Sequence, residues 1–501
     1  MTGLYHLARR TCSALRDSNK YIKRFWLFIL SVTAARMLIA LILGLAPQEA
    51  YYWNYARHLD LSYFDHPPMT AYLIHLFTAI FGDNTLGVHF AAIFVSFVLA
   101  VLLFNFLKLI FDYKTAFWSV VIGSTTFIFA LGGLIITPDG PLLMFWILMM
   151  FTLYIAVHQD NLRWWLLTGI FAGCAMLSKY PAILAIAGAL FYLIFSPERR
   201  KYFVRPGPYL ACVVSFIVFF PVMIWNYRNA WASFAFQGGR RAAEAVNFRA
   251  DYFFGFLGSQ IGVVGIFLMP LFIWAIIKAF HYYRIDSRIS LFFWFAIPTL
   301  VLFTIVSPVH YVKMNWLAPA YLSILPAAVY LYFKSESRFL KLYGKFAVGF
   351  SIAAVLIIHI LVLIPGFGFG KGDTINGWKE LAERVDRIKT EFPAGTEPFI
   401  CGYEYKTASE LRFYLAGQPE TFSNNIVGKH GLAYDFWSDP DTLVGKDCIF
   451  VYDKRNSYNV PRPIQDFFEK VDGPEVLTVS RGGYKITDFY IYKCYKYRGT
   501  G

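Results

Sequence analysis

The 501-residue chain spells no Walker loop, no HExxH and no GxSxG. Nucleotide hydrolysis, zincin chemistry and serine catalysis therefore have no sequence basis here. Its six cysteines form neither a CxxC pair nor a metal-ligand spacing, which removes redox motifs and zinc knuckles. Cys12, Cys174 and Cys212 fall in or near apolar runs, whereas Cys401, Cys448 and Cys494 lie in a polar tail. Three thiols in the tail allow one disulfide and leave one over, so the compartment stays open. No internal repeat and no low-complexity tract occurs. Charge is also sparse: 16% of residues are charged, against 57% hydrophobic and 19% aromatic, with mean hydropathy +0.48. A water-soluble surface cannot accommodate that balance, so the chain reads as a polytopic α-helical membrane protein.

Runs long enough to cross a hydrocarbon core of roughly 30 Å, about 20 residues as helix, recur from Phe25 to Pro365. Helices are expected because an open sheet edge cannot be satisfied in lipid. The basic residues before the first run, Arg9 to Arg24, suggest a signal peptide, but Phe25 to Leu45 is too long for one and contains Arg36, which favours a retained helix. Passes are expected at 25–45, 85–107, 115–136, 139–157, 208–227, 256–280, 289–306, 314–333 and 345–364, with a short helix at 69–82 and a helical pair at 163–195 whose apex is Lys179. The net charge of +14 sits largely in short clusters between apolar runs, so it reads as positive-inside topology and not as nucleic-acid affinity. Placing ERRK (198–201), 278–288 and 334–345 inside puts the 47–69 loop, the Thr137-Pro138-Asp139 turn, Lys179, the 228–255 loop and the 307–313 loop together on the opposite face. The expected domains are a cytoplasmic tail at 1–21, a membrane domain at 22–365 with its first outer loop at 46–69, a Gly-rich hinge at 366–372 and an extracytoplasmic α/β domain at 373–501. Within the tail, helices are expected near 378–392 and 407–415, and strands near 397–403, 448–452 and a closing pair around 477–495.

Several outer-face residues invite chemistry. Glu49 in PQEAYYW is a carboxylate at a membrane edge beside aromatics, suited to a general base, or an incidental acid in an aromatic belt. Asp65-His66-Pro67-Pro68 fixes an acid and an imidazole in a turn before a helix, where they cap it, touch a phosphate or contribute two weak metal-ligand candidates. Two ligands do not make a metal site. Asp139 in ITPDGP reads as a helix N-cap. Lys179 inside an apolar pair calls for an anionic partner, either a lipid phosphate or a structural acid. Arg228, Arg240 and Arg241 lie in an outer aromatic-rich loop and favour an anion. Lys313, Asn315 and Trp316 repeat the pattern at the last outer turn, with snorkelling as the plain alternative. Tyr52, Arg57 and His58 would line the same face.

PQEAYYWNYARHLDLSYFDHPPM, ITPDGPLLMFW, AMLSKYPAILA, FPVMIWNYRNAWASFAFQ and KMNWLAPAYL occur in an order that resembles the bacterial branch of the dolichyl-phosphate-mannose protein mannosyltransferase family. GWKELAERV and ASELRFYLAGQP extend the resemblance into the tail, so it covers about residues 22 to 455. It implies a membrane glycosyltransferase of GT-C fold with about 11–13 spanning helices. It also implies an undecaprenyl- or other polyprenyl-phosphate sugar donor, an inverting transfer, a lipid A, glycan or protein acceptor, and a bacterial inner-membrane location with a periplasmic active site. Carried over, Glu49 is the proposed base and Asp65 the second loop acid. His66 falls on a phosphate-contacting position, and Asp139 and Lys179 on the helix-opening acid and the hairpin lysine. Where the family carries an Asp-Glu pair this chain has Gln48-Glu49, which leaves Glu49 and Asp65 competing for the base. FQGGRR offers no counterpart of the histidine that joins the loop acid on a metal in the lipid A aminoarabinose branch, so no cofactor is firm and a divalent metal is doubtful.

The expected mechanism is direct displacement at the anomeric carbon, with Lys179, His66 and Arg240 or Arg241 neutralising the departing phosphate. A flippase for lipid-linked sugars is the rival, though it calls for paired, interrupted helices in two related halves. A scaffold presenting the α/β tail is a third reading.

Overall fold

A computed structural model describes residues 2–243, 247–364, 373–456 and 464–500, the side chains of 2–17, 240–243, 363 and 456 excepted. The side chains of Arg240 and Arg241 and the 366–372 hinge thus lie outside the described residues. The chain folds as two compact units: residues 1–38, 66–70 and 90–359 form one, and residues 39–65, 71–89 and 360–501 form the other.

The first unit is helical. Among the described residues six helices are long and apolar enough to cross a membrane: Thr85–Ile110, Asp139–Gln159, Pro206–Arg228, Ser287–Val306, Met314–Lys334 and Arg338–Val362. The pair Ala250–Val264 and Met269–Tyr282, bent by 100°, is long and apolar enough only when taken together, as a broken span or a re-entrant loop. Shorter apolar helices include Leu162–Ser178 and Tyr180–Ile194, which meet at the expected break at Lys179. Small residues let these helices approach closely. A Cβ on Gly169 would come within 2.5 Å of the Ala211 carbonyl, and one on Gly188 within 2.9 Å of Phe295 backbone.

The pass expected at 115–136 is not one helix. It is split into Tyr113–Ser124 and Phe127–Leu131, and a break at membrane depth must satisfy its own backbone. Arg36 does so from the first helix: Nη1 donates to Ser96 Oγ at 2.5 Å and Nη2 to the Phe129 and Ala130 carbonyls at 3.3 and 3.4 Å. Ser351 Oγ donates to the Thr125 carbonyl at 2.5 Å. The arginine that argued against a signal peptide is a buried clamp on a broken helix.

The second unit is built on a five-stranded sheet of order β2-β1-β3-β5-β4. Its strands are β1 Phe399–Gly402, β2 Thr421–Phe422, β3 Cys448–Asp453, β4 Phe468–Arg481 and β5 Tyr484–Tyr497. β1 pairs in parallel with β2 and β3, and β5 pairs antiparallel with β3 and β4. β3 (CIFVYD) is a near-continuous apolar run because both its faces are covered. Trp378, Leu381, Val385 and Ile388 of the helix Trp378–Lys389 pack with Ile400, Ile449 and Val451 on one face, while Cys401, Cys448 and Cys494 lie among aromatics in a separate core cluster as free thiols.

The helix Pro47–Arg57 belongs to this unit and packs on the helix Tyr405–Tyr414. Arg412 Nη1 donates to Asn54 Oδ1 at 2.9 Å, Leu45 N to the Tyr414 hydroxyl at 2.9 Å, and Trp53 Nε1 to Asp83 at 2.8 Å. The first outer loop therefore folds with the C-terminal residues as well as with residues 71–89 that follow it in sequence.

Candidate active site

Glu49 is fully buried. Pro47 opens its helix, and the Glu49 carboxylate accepts from the Ala46 backbone N–H at 3.1 Å, as acids in a first helical turn do. Its other oxygen lies 3.1 Å from Nδ1 of His89, also fully buried. The expected interfacial base is thus occupied in holding its own helix and a buried imidazole.

Asp65 is half-buried, and its surroundings differ. Tyr51 and Tyr55 stand four apart on the helix Pro47–Arg57, so their side chains share a face. Both phenols donate to Asp65 Oδ1, Tyr51 at 3.0 Å and Tyr55 closer still. Neither tyrosine was singled out by sequence, although the spacing within YYWNY carried the signal. Asp65 is thus a carboxylate oriented by two phenols.

The other first-loop candidates have partners in their own unit. Tyr52 is buried, Arg57 pairs with Asp83 at 2.8 Å, and His58 stacks on Trp437 with centroids 4.5 Å apart and planes at 9°. Asp65 and His66 make only a two-residue set, with an Asp65 oxygen already taken by phenols, which does not fit a divalent metal. Among the described residues no group of three His, Cys, Asp or Glu comes together to hold one.

In the membrane unit, Asp139 is the first residue of its helix, yet its carboxylate makes no cap. Lys179 Nζ donates to both its oxygens at 2.8 and 2.9 Å, and Asn315 Nδ2 donates to Oδ2 at 2.6 Å. The N-cap expectation is corrected: the acid anchors a lysine at the break after Ser178 and an asparagine ahead of the helix Ala318–Lys334. A small recess beside this triad is lined by Asp139, Lys179, Thr299, Trp316 and neighbouring apolar residues. The Thr299 hydroxyl is buried with no hydrogen-bond partner among the described residues. Lysine has three donors and two are used, so Lys179 retains one for a ligand oxygen.

Lys313 is exposed at the mouth of this segment, and Arg228 ends its helix exposed. Burial, followed by the nearby charges of Lys179 and Lys313, pushes the His66 imidazole well below its ordinary range and keeps it neutral. Site residues that sequence reasoning missed are Tyr51, Tyr55, His89 and Thr299; a lone histidine in the apolar run Thr85–Ile110 was the available sign for His89.

The chain resembles known proteins in sequence and in fold. The family described as dolichyl-phosphate-mannose-protein mannosyltransferase matches residues 65–225. That stretch begins at Asp65 and includes Asp139 and Lys179, but not Glu49. The lipid A galacturonosyltransferase RgtD of Rhizobium johnstonii is 25% identical over 297 residues, which is 59% of this chain and 62% of that relative, short of two thirds of its length. Structures of ArnT from Cupriavidus metallidurans, in the apo state and bound to undecaprenyl phosphate, superpose with a TM-score of 0.64 at 14% and 13% identity, covering 94% of this chain and 98% of theirs. The mycobacterial arabinofuranosyltransferase AftD gives 0.51 at 11% identity over 93% of this chain and 40% of its own. At such identities the structural matches speak for fold. Residues 65–225 thus resemble the dolichyl-phosphate-mannose-protein mannosyltransferase family, the relative resembles a larger part of the chain, and the chain as a whole shares the GT-C fold of ArnT.

Proposed function

We propose that the protein is an inverting glycosyltransferase that moves a monosaccharide from a polyprenyl-phosphate donor to a lipid A-type acceptor on the extracytoplasmic side of the membrane. The observation that carries this reading is the consecutive pair Asp65-His66. The carboxylate is oriented by two phenols, and the next side chain along the chain is an imidazole kept neutral by its burial first and then by the charges of Lys179 and Lys313. A proton acceptor thus adjoins, in sequence, a cation-rich setting suited to a phosphate.

In the reaction, the acceptor hydroxyl attacks the anomeric carbon as the bond from that carbon to the phosphate oxygen breaks. Asp65 takes the hydroxyl proton, and the phosphate leaves carrying the bonding pair. Lys179, fixed by Asp139, meets the charge that grows on the departing phosphate, with Thr299 as a further hydrogen-bond partner; Lys313, Arg240 and Arg241 are additional cations for the same anion. Asn315 holds Asp139 so that Lys179 stays aimed, and Trp316 lines the recess that takes the lipid-proximal end of the donor. Glu49 is assigned a supporting role.

RgtD, by its name, acts on lipid A with galacturonic acid, so polyprenyl-phosphate galacturonate and lipid A are the first substrates to try. The test is a transfer assay on membranes bearing the protein, with labelled donor. Label appearing in lipid A and lost in Asp65→Asn supports the reading. Undiminished transfer in Asp65→Asn, or no transfer from any polyprenyl-phosphate sugar, overturns it.

A further inference from the structure

The C-terminal residues bring their own chemistry to the surroundings of Asp65. A four-residue helix, Tyr434–Trp437, follows Leu432, whose backbone is left-handed at φ 58, a costly conformation for a leucine that the surrounding contacts must hold. Tyr434 is buried and anchors the turn, its hydroxyl bonded to Ser409 at 2.9 Å and reached by Asn54 Nδ2 at 3.4 Å. The Ala433 backbone N–H donates to the Tyr51 hydroxyl at 3.1 Å, the same hydroxyl that bonds Asp65.

With Tyr434 turned inward, Phe436 is left outward, and Trp437 stacks one face on His58. Phe436 is 40% exposed, and its ring lies 5.5 Å from that of Phe64, the residue before Asp65. Trp437 is half-buried and sits edge-on to Tyr55 at 5.5 Å. Tyr405 packs at 4.6 Å from Tyr51 and follows Glu404, a half-buried carboxyl whose proton affinity is raised chiefly by burial. A plain packing role accounts for Tyr434 but not for the exposed Phe436 beside Trp437. Aromatic faces flanked by carboxylates match a sugar ring: its apolar C–H face lies on the rings and its hydroxyls donate to the acids. Glu404 is offset by Lys406, whose ammonium lies 5.8 Å from the Tyr405 ring, so the wall is mainly aromatic in character.

We propose that Tyr405, Phe436 and Trp437, with Glu404 at their edge, form the wall that binds the saccharide part of the acceptor. The C-terminal domain is then a specificity element of the transferase. This assignment rests on the functional reading above for the name of the ligand, but not for its test.

The experiment uses the full-length protein in detergent, with purified lipid A as probe. Native mass spectrometry measures lipid A binding to wild type, Trp437→Ala, Phe436→Ala and the conservative Trp437→Phe. Tyr484→Ala, which removes an aromatic exposed on β5, serves as control. The expected result is about a tenfold loss of lipid A binding in the alanine variants, recovery in Trp437→Phe and no change in the control, in keeping with loss of a stacked ring. In the transfer assay the same variants raise the acceptor KM about tenfold, with a much smaller change in kcat or donor KM. Binding equal to wild type in both alanine variants, or a rise in donor KM instead, overturns the assignment. If wild type binds lipid A through these residues but transfers nothing, the functional reading fails and the wall stands.

Discussion

Glu49 and Asp65 lie on one loop, in one folding unit, and began as rivals for one role. Their surroundings separate them. Glu49 is fully buried, one oxygen on a helix N-terminus and the other on His89. Asp65 is half-open, with two tyrosine hydroxyls converging on a single oxygen. A carboxylate committed to backbone and a buried imidazole holds structure, whereas one oriented by phenols at an accessible face can take a proton from an incoming hydroxyl. Burial and partners, not proximity to the membrane edge, tell the two apart.

The largest effect expected is on catalysis at Asp65: Asp65→Asn should lower kcat by about 10³-fold, within the range of a lost general base, without shifting the thermal midpoint. Removing the charge that meets the phosphate comes next. Lys179→Met should cost about 10²-fold in kcat/KM, measured against donor concentration, because one preorganised cation is gone. Glu49 should break the other way. Glu49→Ala leaves His89 buried beside an uncapped helix start, and a loss of about 3–5 kcal/mol in stability is expected by thermal unfolding in detergent, with the catalytic rate of the surviving folded protein close to wild type.

The smallest effect involves Glu410, fully buried with neither carboxyl oxygen hydrogen-bonded among the described residues. Burial first, then the charge of Glu49, raises its pKa well above the usual carboxylate range. The folded state then keeps a proton that the unfolded chain releases above about pH 4.5, so this group makes stability fall as pH rises from there towards the folded pKa. Glu410→Gln should raise the midpoint by a few degrees at neutral pH and flatten that slope; a lower midpoint would contradict the assignment of a neutral carboxyl.

Much of the frame was legible because its signals are local. The elements expected in the tail appear as Trp378–Lys389, β1, Tyr405–Tyr414, β3 and the β4–β5 pair, and the interruption at Lys179 marked a break between helices. Lys179 also announced a need for an anion, but its partner Asp139 lies 40 residues earlier, and ITPDGP read locally as a cap. The split of the 115–136 pass was hidden because the group that satisfies its carbonyls, Arg36, sits on another helix. The allegiance of the first loop was hidden for the same reason: Arg412 reaches Asn54 across 358 residues, and no periodicity encodes such a pairing. Gln48 in place of the family acid raised the question of the base in sequence, and only the burial of Glu49 supplied grounds to answer it.

The most direct measurement compares Asp65→Asn with Glu49→Gln, each purified and shown to be folded, in transfer of labelled sugar from polyprenyl phosphate to lipid A. The account predicts that Asp65→Asn is reduced about 10³-fold while Glu49→Gln retains most of its turnover. Loss of transfer in Glu49→Gln with Asp65→Asn active would contradict it and return the base to Glu49.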